Sequence, residues 1–204
     1  MEISPLEPHW VEDIGKIHFN SLPNDFLPTL GLDFLIKTFY PAVLSSELGK
    51  VFIAFNEVDE PVGFVLVTLG SNEFLKNIIK NRFWEFFKIF ICSSFISLKN
   101  FRNNFQIIIS GLLSKNTPDF GEIYIIAVKK PFRGKGVGKL LVKKSMDFLI
   151  ENELSGIKIK TLVSNIEWME YFYKEGWKLE KNFHLIGKKY VSLFYKFDDI
   201  FPPV

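Results

Sequence analysis

Residues 122–139 of the chain read EIYIIAVKKPFRGKGVGK. The apolar run Ile123–Val128 predicts a buried strand, and a short basic turn with Pro131 leads from it into an amphipathic helix. Glycines in such a turn let the backbone approach an anion, and the N–H groups of the new helix point at it with the helix dipole behind them. The stretch therefore predicts a pyrophosphate cradle, with positive charge supplied by Arg133, Lys135 and Lys139.

Three known phosphate-binding patterns can be compared with this turn. A P-loop requires a Ser or Thr after its lysine, but Leu140 follows Lys139 here. A dinucleotide fingerprint requires Gly-x-Gly-x-x-Gly and repeated parallel β-α-β units, whereas the three glycines of this turn alternate and such units do not follow. The third pattern, Arg-x-x-Gly-x-Gly/Ala, matches the segment Arg133–Gly138 at every fixed position.

Composition limits the class of protein and its surroundings. The 204 residues are 48% hydrophobic and carry a formal net charge of +2 that is dispersed, so we expect a globular chain and no nucleic-acid partner. The single cysteine, Cys92, excludes an intramolecular disulfide and is typical of a reducing compartment. The first residues lack the pattern of a signal peptide, and no apolar run approaches the ~18 residues of a membrane span. A cytoplasmic location is therefore expected.

The rest of the chain predicts one domain over residues 1–204, with element order α-α-β-β-(helical insertion)-β-α-β-α-β-β and an initial strand at Glu2–Leu6. The insertion at about 71–115 holds eight Phe, seven Lys or Arg and only two acids. We expect it to pack on the sheet or on a second subunit, which would make a homodimer. A substrate lid and a membrane-contacting surface remain as the less favoured alternatives.

Two segments carry a family resemblance. Ile123–Asn152 resembles the central motif of the GNAT N-acetyltransferase superfamily, and the segment Asn165–Trp177 is similar to its second motif. The resemblance implies an α/β (α+β) fold with a mixed, mostly antiparallel sheet flanked by helices, the insertion falling between the third and fourth strands. It also implies acetyl-CoA as cofactor and acetyl transfer to the primary amine of a small molecule, such as an amino sugar. A protein amine as acceptor, or a non-catalytic acyl-CoA-binding module, are the alternatives.

The resemblance also implies which residues bind the cofactor. Strand residues would pair with the pantetheine arm as an added strand pairs with a sheet edge, and the turn would hold the pyrophosphate. Asn165 would contact the arm near the thioester. In full, the cofactor-binding residues so implied are Ile126, Ala127, Val128, Arg133, Gly134, Lys135, Gly136, Val137, Gly138, Lys139, Asn165, Trp168 and Phe172.

Catalysis in this family needs a base for the ammonium and an acid for the departing thiolate. Glu122, at the head of the central strand, occupies a position where some members carry their base. Members with a tyrosine acid have it seven residues after the Asn, where this chain has Phe172. A one-residue shift of the helix would bring Tyr173 into place, so Tyr173 is the predicted acid; the alternative is no protein acid. Trp168 replaces a small residue and would either narrow the pantetheine channel or face the core.

The acceptor side is less determined. His18 and Asn20 end the first predicted helix, where family members line the acceptor groove, so they are candidate substrate contacts. An idle surface histidine is the equal alternative for His18. Asp25 and Asp33 have the charge to bind a cationic amine, although solvated loop carboxylates are the favoured interpretation of both. No metal ligand set is expected.

Overall fold

The fold is built on one seven-stranded sheet with helices on both faces. The computed structural model describes residues 1–82, 84–85, 119–185 and 187–197. The strands are β1 Glu2–Pro5, β2 Gly49–Phe55, β3 Pro61–Thr68, β4 Phe120–Val128, β5 Gly156–Leu162, β6 Lys178–Leu185 and β7 Lys188–Lys196. The α-helices of the described residues are α1 Val11–Ser21, α2 Phe26–Thr29, α3 Leu32–Phe34, α4 Tyr40–Leu44, α5 Ser71–Asn81, α6 Val137–Glu151 and α7 Ile166–Lys174.

The strand order is β1-β2-β3-β4-β5-β7-β6. Only β4 and β5 run parallel, and the other neighbouring pairs are antiparallel. The predicted mixed, mostly antiparallel sheet is therefore confirmed. Helix α5 follows β3, so the predicted insertion begins where expected, between the third and fourth strands. Apart from residues 82 and 84–85, the rest of its predicted span, with Cys92, lies outside the described residues.

Two apolar cores sandwich the sheet. On one face, α1, α4 and α5 bury side chains such as Ile14 and Phe74 against β2, β3 and β4. On the other face, α6 and α7 bury Leu141 and Phe172, neither of which is exposed to solvent. The cradle predicted at the start of α6 therefore belongs to the second face, and the first helices belong to the opposite one. None of the described helices has the length and apolar character that crossing a membrane requires.

Residues 32–44 are helical throughout but do not form one regular α-helix. Leu35–Phe39 form a π-helical turn between α3 and α4, and the residues at each boundary keep helical backbone angles. Pro41 follows this turn directly. Because a proline removes one hydrogen bond from a helix interior, the π-helical turn beside it is the local disturbance that accommodates it.

The sheet opens between β4 and β5. Their pairing runs from Phe120–Gly156 to Ile123–Ile159 and ends there. At this point the register of β4 against β3 shifts, because Leu66 pairs with Ile125 but Val67 pairs with Ile123. The bulge bends β4 away from β5, which is a frequent arrangement beside functional sites. Beyond it, β4 remains paired to β3 on one edge and presents its other edge to a cleft.

Candidate functional site

The loop before α6 adopts a conformation that favours glycine. Gly134 and Gly136 have φ of 72° and 82°, and a Cβ at either position would meet no atom within 4 Å. The reason for glycine here is thus backbone conformation, and the surface above the loop is open. Val137 begins α6, and the N–H groups of a first helical turn have no intrahelical acceptors. Backbone donors and a helix dipole therefore converge on an open concavity.

Arg133 braces this loop from the outside. Its Nε donates to the carbonyl oxygen of Val128 at 2.9 Å, and its Nη2 donates to that of Ser21 at 3.3 Å. The guanidinium thus joins the end of β4 to the end of α1. Lys135 instead lies over the Phe132 ring, 5.3 Å from its centroid. The two residues were predicted to share one role, but only Arg133 ties separate elements together.

A cavity of about 510 Å³ occupies the opening between β4 and β5. Its wall includes every predicted cofactor-binding residue except Lys135. The free edge of β4 at Ile126 and Val128 forms one side, and Asn165 and Trp168 of the β5–α7 region form the other. Strand, loop and helix N-terminus therefore line one continuous space, as the sequence patterns predicted for a cofactor with an extended arm and a pyrophosphate.

Trp168 packs the loop against α7. Its ring stacks on Phe172 with centroids 5.2 Å apart and planes 23° apart. A Cβ built on Gly138 would stand 2.7 Å from the Trp168 ring, closer than real contacts allow. Glycine at position 138 is therefore required by the tryptophan. Trp168 lines the cavity and contacts the core through Phe172, so the two alternatives given for it are not exclusive.

Glu122 lies beside the cavity but not on its wall. The Ser71 hydroxyl donates to Glu122 Oε2 at 2.5 Å, and the Lys160 ammonium lies 2.9 Å from Oε1 and 3.0 Å from Oε2. The Glu122 side chain is 13% exposed, and Lys160 is the member of the pair that faces the cavity. Glu122, the predicted base, is thus an ion-paired carboxylate that also accepts a hydrogen bond from Ser71, the first residue of α5.

The structure does not bring Tyr173 to the cavity. Helix α7 continues from Asn165 without a one-residue shift, since Met169 N–H donates to the Asn165 carbonyl. Phe172 is fully buried, while the Tyr173 side chain is 46% exposed and lies outside the cavity wall. Tyr171 is the tyrosine of α7 that lines the cavity, with the Lys139 ammonium 4.9 Å from its ring centroid. Burial, and secondarily the Glu175 charge, raise the pKa of Tyr171.

His18 is neither a surface residue nor a cavity residue. It is 1% exposed, shares a 2.9 Å hydrogen bond with the Tyr40 hydroxyl, and packs against Phe64. Burial lowers the pKa of His18 to about 3, so the ring is neutral near pH 7. His18 is therefore neither a substrate contact in the cavity nor an idle surface histidine, and both alternatives given for it are wrong. Asn20 is exposed and also stands off the cavity wall.

The cavity is also lined by residues that motif reasoning did not single out. Tyr124 stands at the bulge of β4, Lys160 on β5 and Tyr190 on β7. Burial, and secondarily the Glu122 charge, raise the pKa of Tyr124 far above its usual value, so its phenol stays protonated. Alternation along a strand is the signal that places Tyr124 on the same face as Glu122. Asp25, which the sequence weighed as a solvated carboxylate, is exposed and also lines the cavity.

The residues present fit coenzyme A. The glycine loop is open, as a backbone-approaching pyrophosphate requires, and Lys139 and Arg133 lie on the same wall. The unpaired edge of β4 offers backbone donors and acceptors to the amide groups of a pantetheine arm.

Several solved structures share this fold at low sequence identity. A spermidine/spermine N-acetyltransferase of Vibrio cholerae has a TM-score of 0.60 at 13% identity, over 98% of this chain and 94% of its own. The ribosomal-protein-S18-alanine N-acetyltransferase of Escherichia coli has 0.59 at 11% identity, over 96% and 92%. A Bacillus anthracis protein in complex with acetyl coenzyme A has 0.50 at 16% identity, over 78% and 68%. At such identities the likeness shows the fold.

No curated relative matches the chain in sequence at a significant level. A family model does match: that of the acetyltransferase (GNAT) family, over residues 19–177. The matched span includes the whole of β4, the glycine loop, α6 and α7, all of which contribute residues to the cavity wall. The chain therefore belongs to the GNAT acetyltransferase family, an enzyme family that uses acetyl-CoA.

Proposed function

We propose that this enzyme transfers acetyl from acetyl-CoA to the primary amine of a small molecule. The observation that carries the proposal is the cavity, which extends from the glycine loop past the β4–β5 opening to a second end lined by Ser21, Asp25 and Tyr190. That end is bounded by the end of α1, the α1–α2 connection and β7, and has room for a compact acceptor. The acceptors named for the structural neighbours, spermidine or spermine and a ribosomal-protein alanine, differ too much to select one by fold.

The cofactor would be held by two parts of the chain. The N–H groups of the first turn of α6 and the Lys139 ammonium would bind the pyrophosphate. The free edge of β4 at Ile126 and Val128, with Asn165 opposite, would align the pantetheine arm. Bound acetyl-CoA supplies an activated thioester for direct attack by a neutral amine.

We assign Glu122 as the base that takes the proton of the acceptor ammonium. Because Lys160 stands between Glu122 and the cavity, the proton would reach the carboxylate through Lys160 or a water molecule. The Ser71 hydroxyl and the Lys160 ammonium hold the carboxylate in one orientation. In this arrangement Glu122 would accept the proton without contacting the acceptor itself.

We propose that the thiolate takes its proton from water. A thiolate is a good leaving group, since thiols are far more acidic than alcohols (cysteine has a pKa of about 8.5), so a protein acid is not obligatory. Phe172 stands at the position of the usual tyrosine, and Tyr173 faces away from the cavity. The loss of this hydroxyl is also the observation that keeps a non-catalytic acyl-CoA-binding module as the second candidate.

A thiol-release assay with an amine panel tests the function. We expect amine-dependent release of CoA, and a loss of about 100-fold in kcat/KM for Glu122→Gln. Glu180→Gln is the matched control, because Glu180 also pairs with a lysine, Lys158, but stands away from the cavity. Tyr173→Phe should change the rate less than threefold. A hundredfold loss in that variant would instead restore Tyr173 as the acid.

Acetyl-CoA binding separates the two candidates. At about 100 times its Kd, acetyl-CoA should raise the free energy of unfolding by about 2.7 kcal/mol. Such stabilisation without turnover on any amine would identify a binding module. Absence of stabilisation would contradict both candidates.

A cytoplasmic location, a homodimer and a role for the segment that begins at α5 remain predictions.

A further inference from the structure

Two segments far apart in sequence meet at the acceptor end of the cavity. Residues 22–25 connect α1 to α2, and Lys188 is the first residue of β7. The Lys188 ammonium donates to the Asn24 carbonyl oxygen at 3.5 Å. The α1–α2 connection is further held by the Asp25 N–H, which donates to the Leu22 carbonyl at 3.0 Å. The cavity mouth is thus formed by a connection whose backbone is tied on both sides.

Asp25 places its side chain at this mouth without using it to support the fold. It is the N-cap residue of α2, with φ of −83° and ψ of 159°, yet its carboxylate makes no capping hydrogen bond. Among the described residues, no side chain donates a hydrogen bond to that carboxylate, and none forms an ion pair with it within 4 Å. The carboxylate therefore remains available to a ligand that enters the cavity.

Tyr190 supplies an aromatic wall beside this carboxylate. Its ring stacks on Phe183, with centroids 5.5 Å apart, and it lines the same end of the cavity. Both groups line this one cavity, and burial and then the Asp25 charge raise the pKa of the Tyr190 phenol. Burial likewise raises the pKa of Asp25, while Lys188 opposes this. A carboxylate beside an aromatic ring with a protonated phenol is the chemistry that binds an ammonium group.

Asp25 is not alone in its charge here: Lys188 lies near it, with its ammonium bonded to the Asn24 carbonyl oxygen rather than to the carboxylate, and the cavity wall has further charged groups. Lys160 faces the cavity on β5, where β4 and β5 separate, and its ammonium is paired with Glu122. The reacting amine belongs at this opening, since the free edge of β4 directs the acyl arm there. A second cationic group on the same acceptor would then have a carboxylate to bind at the mouth.

We propose that Asp25 anchors a second ammonium group of the acceptor, so that the preferred substrates are diamines or larger polycationic amines rather than monoamines. This inference rests on the proposed function and extends it to a substrate class. Asp25 acts as a specificity-determining residue, and Tyr190 forms the wall beside it. The acetylated nitrogen is the one at the β4–β5 opening.

Matched amines and matched variants test the inference. The kcat/KM of the enzyme for 1,4-diaminobutane is compared with that for 1-aminobutane, in the unmodified enzyme, in Asp25→Asn and in Asp33→Asn. Asparagine is as good an N-cap as aspartate, so Asp25→Asn removes the charge without removing the capping preference. Asp33 is the control because its carboxylate is exposed and paired with Lys37, away from the cavity.

We expect the unmodified enzyme and Asp33→Asn to prefer the diamine by at least about tenfold, through a lower KM, and Asp25→Asn to lose that preference. An unchanged preference in Asp25→Asn, with turnover intact, would overturn the anchor and leave the proposed function standing. Thermal unfolding with free coenzyme A and each amine gives a readout independent of turnover. The diamine should stabilise the unmodified protein and not Asp25→Asn; equal stabilisation of both would overturn the inference even if no amine were acetylated.

Discussion

Gly138 and Trp168 are joined by a steric relation rather than by a motif. Position 138 lies in the first turn of α6, where alanine would ordinarily be the better helix residue. The Trp168 ring stands where the added Cβ would be, and its own movement is restricted by stacking on Phe172. The glycine that resembles a phosphate-loop signature thus has a packing reason of its own in this chain.

The contact between position 138 and Trp168 predicts the effect of a substitution at Gly138. Gly138→Ala should displace Trp168 and lower acetyl-CoA affinity about tenfold, because a close-packed site cannot absorb a contact of 2.7 Å without movement. Isothermal titration with acetyl-CoA measures the effect. The double variant Gly138→Ala with Trp168→Leu should recover most of the lost affinity, since the smaller side chain leaves room for the methyl group. If Gly138→Ala alone binds as tightly as the unmodified protein, the steric relation is not functional.

At the scale of elements, Arg133 connects two elements that line the cavity. Its guanidinium bonds a carbonyl at the end of β4 and another at the end of α1. The planar fork of arginine serves two separate acceptors at once, which a lysine ammonium cannot reproduce in the same geometry. The end of β4, just before the glycine loop, and the end of α1 are therefore held together by one side chain.

Removal of this link should affect both stability and cofactor binding. Arg133→Ala is expected to cost about 1 kcal/mol of unfolding free energy, because two partly exposed hydrogen bonds from a charged donor are lost. Its acetyl-CoA affinity should fall about tenfold, while Lys135→Ala should change it less than threefold because Lys135 stands off the cavity wall. Denaturant unfolding and titration measure the two quantities. Equal losses in both variants would indicate a general charge effect instead.

At the scale of the whole molecule, a neutral histidine is built into one of the two cores. His18 and Tyr40 share a hydrogen bond between α1 and α4, against Phe64 of the sheet. Burial opposes protonation of the ring, whereas an unfolded histidine titrates near pH 6.5. As the pH falls, the His18 ring therefore binds a proton in the unfolded chain before it does so in the folded protein.

The contribution of His18 to the free energy of unfolding depends on pH. Because the folded pKa of about 3 lies below the unfolded value, this contribution is fully present above pH 6.5 and is lost as the pH falls. Between pH 6.5 and 5 the loss should be about 2 kcal/mol, at ~1.4 kcal/mol per unit. Denaturant unfolding of the unmodified protein and of His18→Asn measures it, with exposed His9→Asn as control. Parallel pH curves for the unmodified protein and His18→Asn would contradict the prediction.

The sequence by itself determined the fold class and the cofactor side of the site. The strand, the glycine loop and the helix N-terminus are contiguous in the chain, so they are also neighbours in the folded structure. The family resemblance implied Ile126, Val128 and Lys139 as cofactor contacts, and the cavity wall includes all three. Asn165 and Phe172 followed from a second local motif. The helical period also carried the signal for a buried His18, which lies on the same face of α1 as Val11 and Ile14.

The tertiary structure alone decided the acceptor side, because its groups come from segments that only the strand order brings together. Ser71 and Lys160 reach Glu122 from α5 and β5, and Asp25 and Tyr190, which are far apart in the chain, line one cavity. The orientation of α7 was also a tertiary outcome: burial of Phe172 against Trp168 and Trp177 sets its rotation and turns Tyr173 outward. Local patterns specify contacts within a segment, whereas contacts between distant segments depend on packing that no single segment encodes.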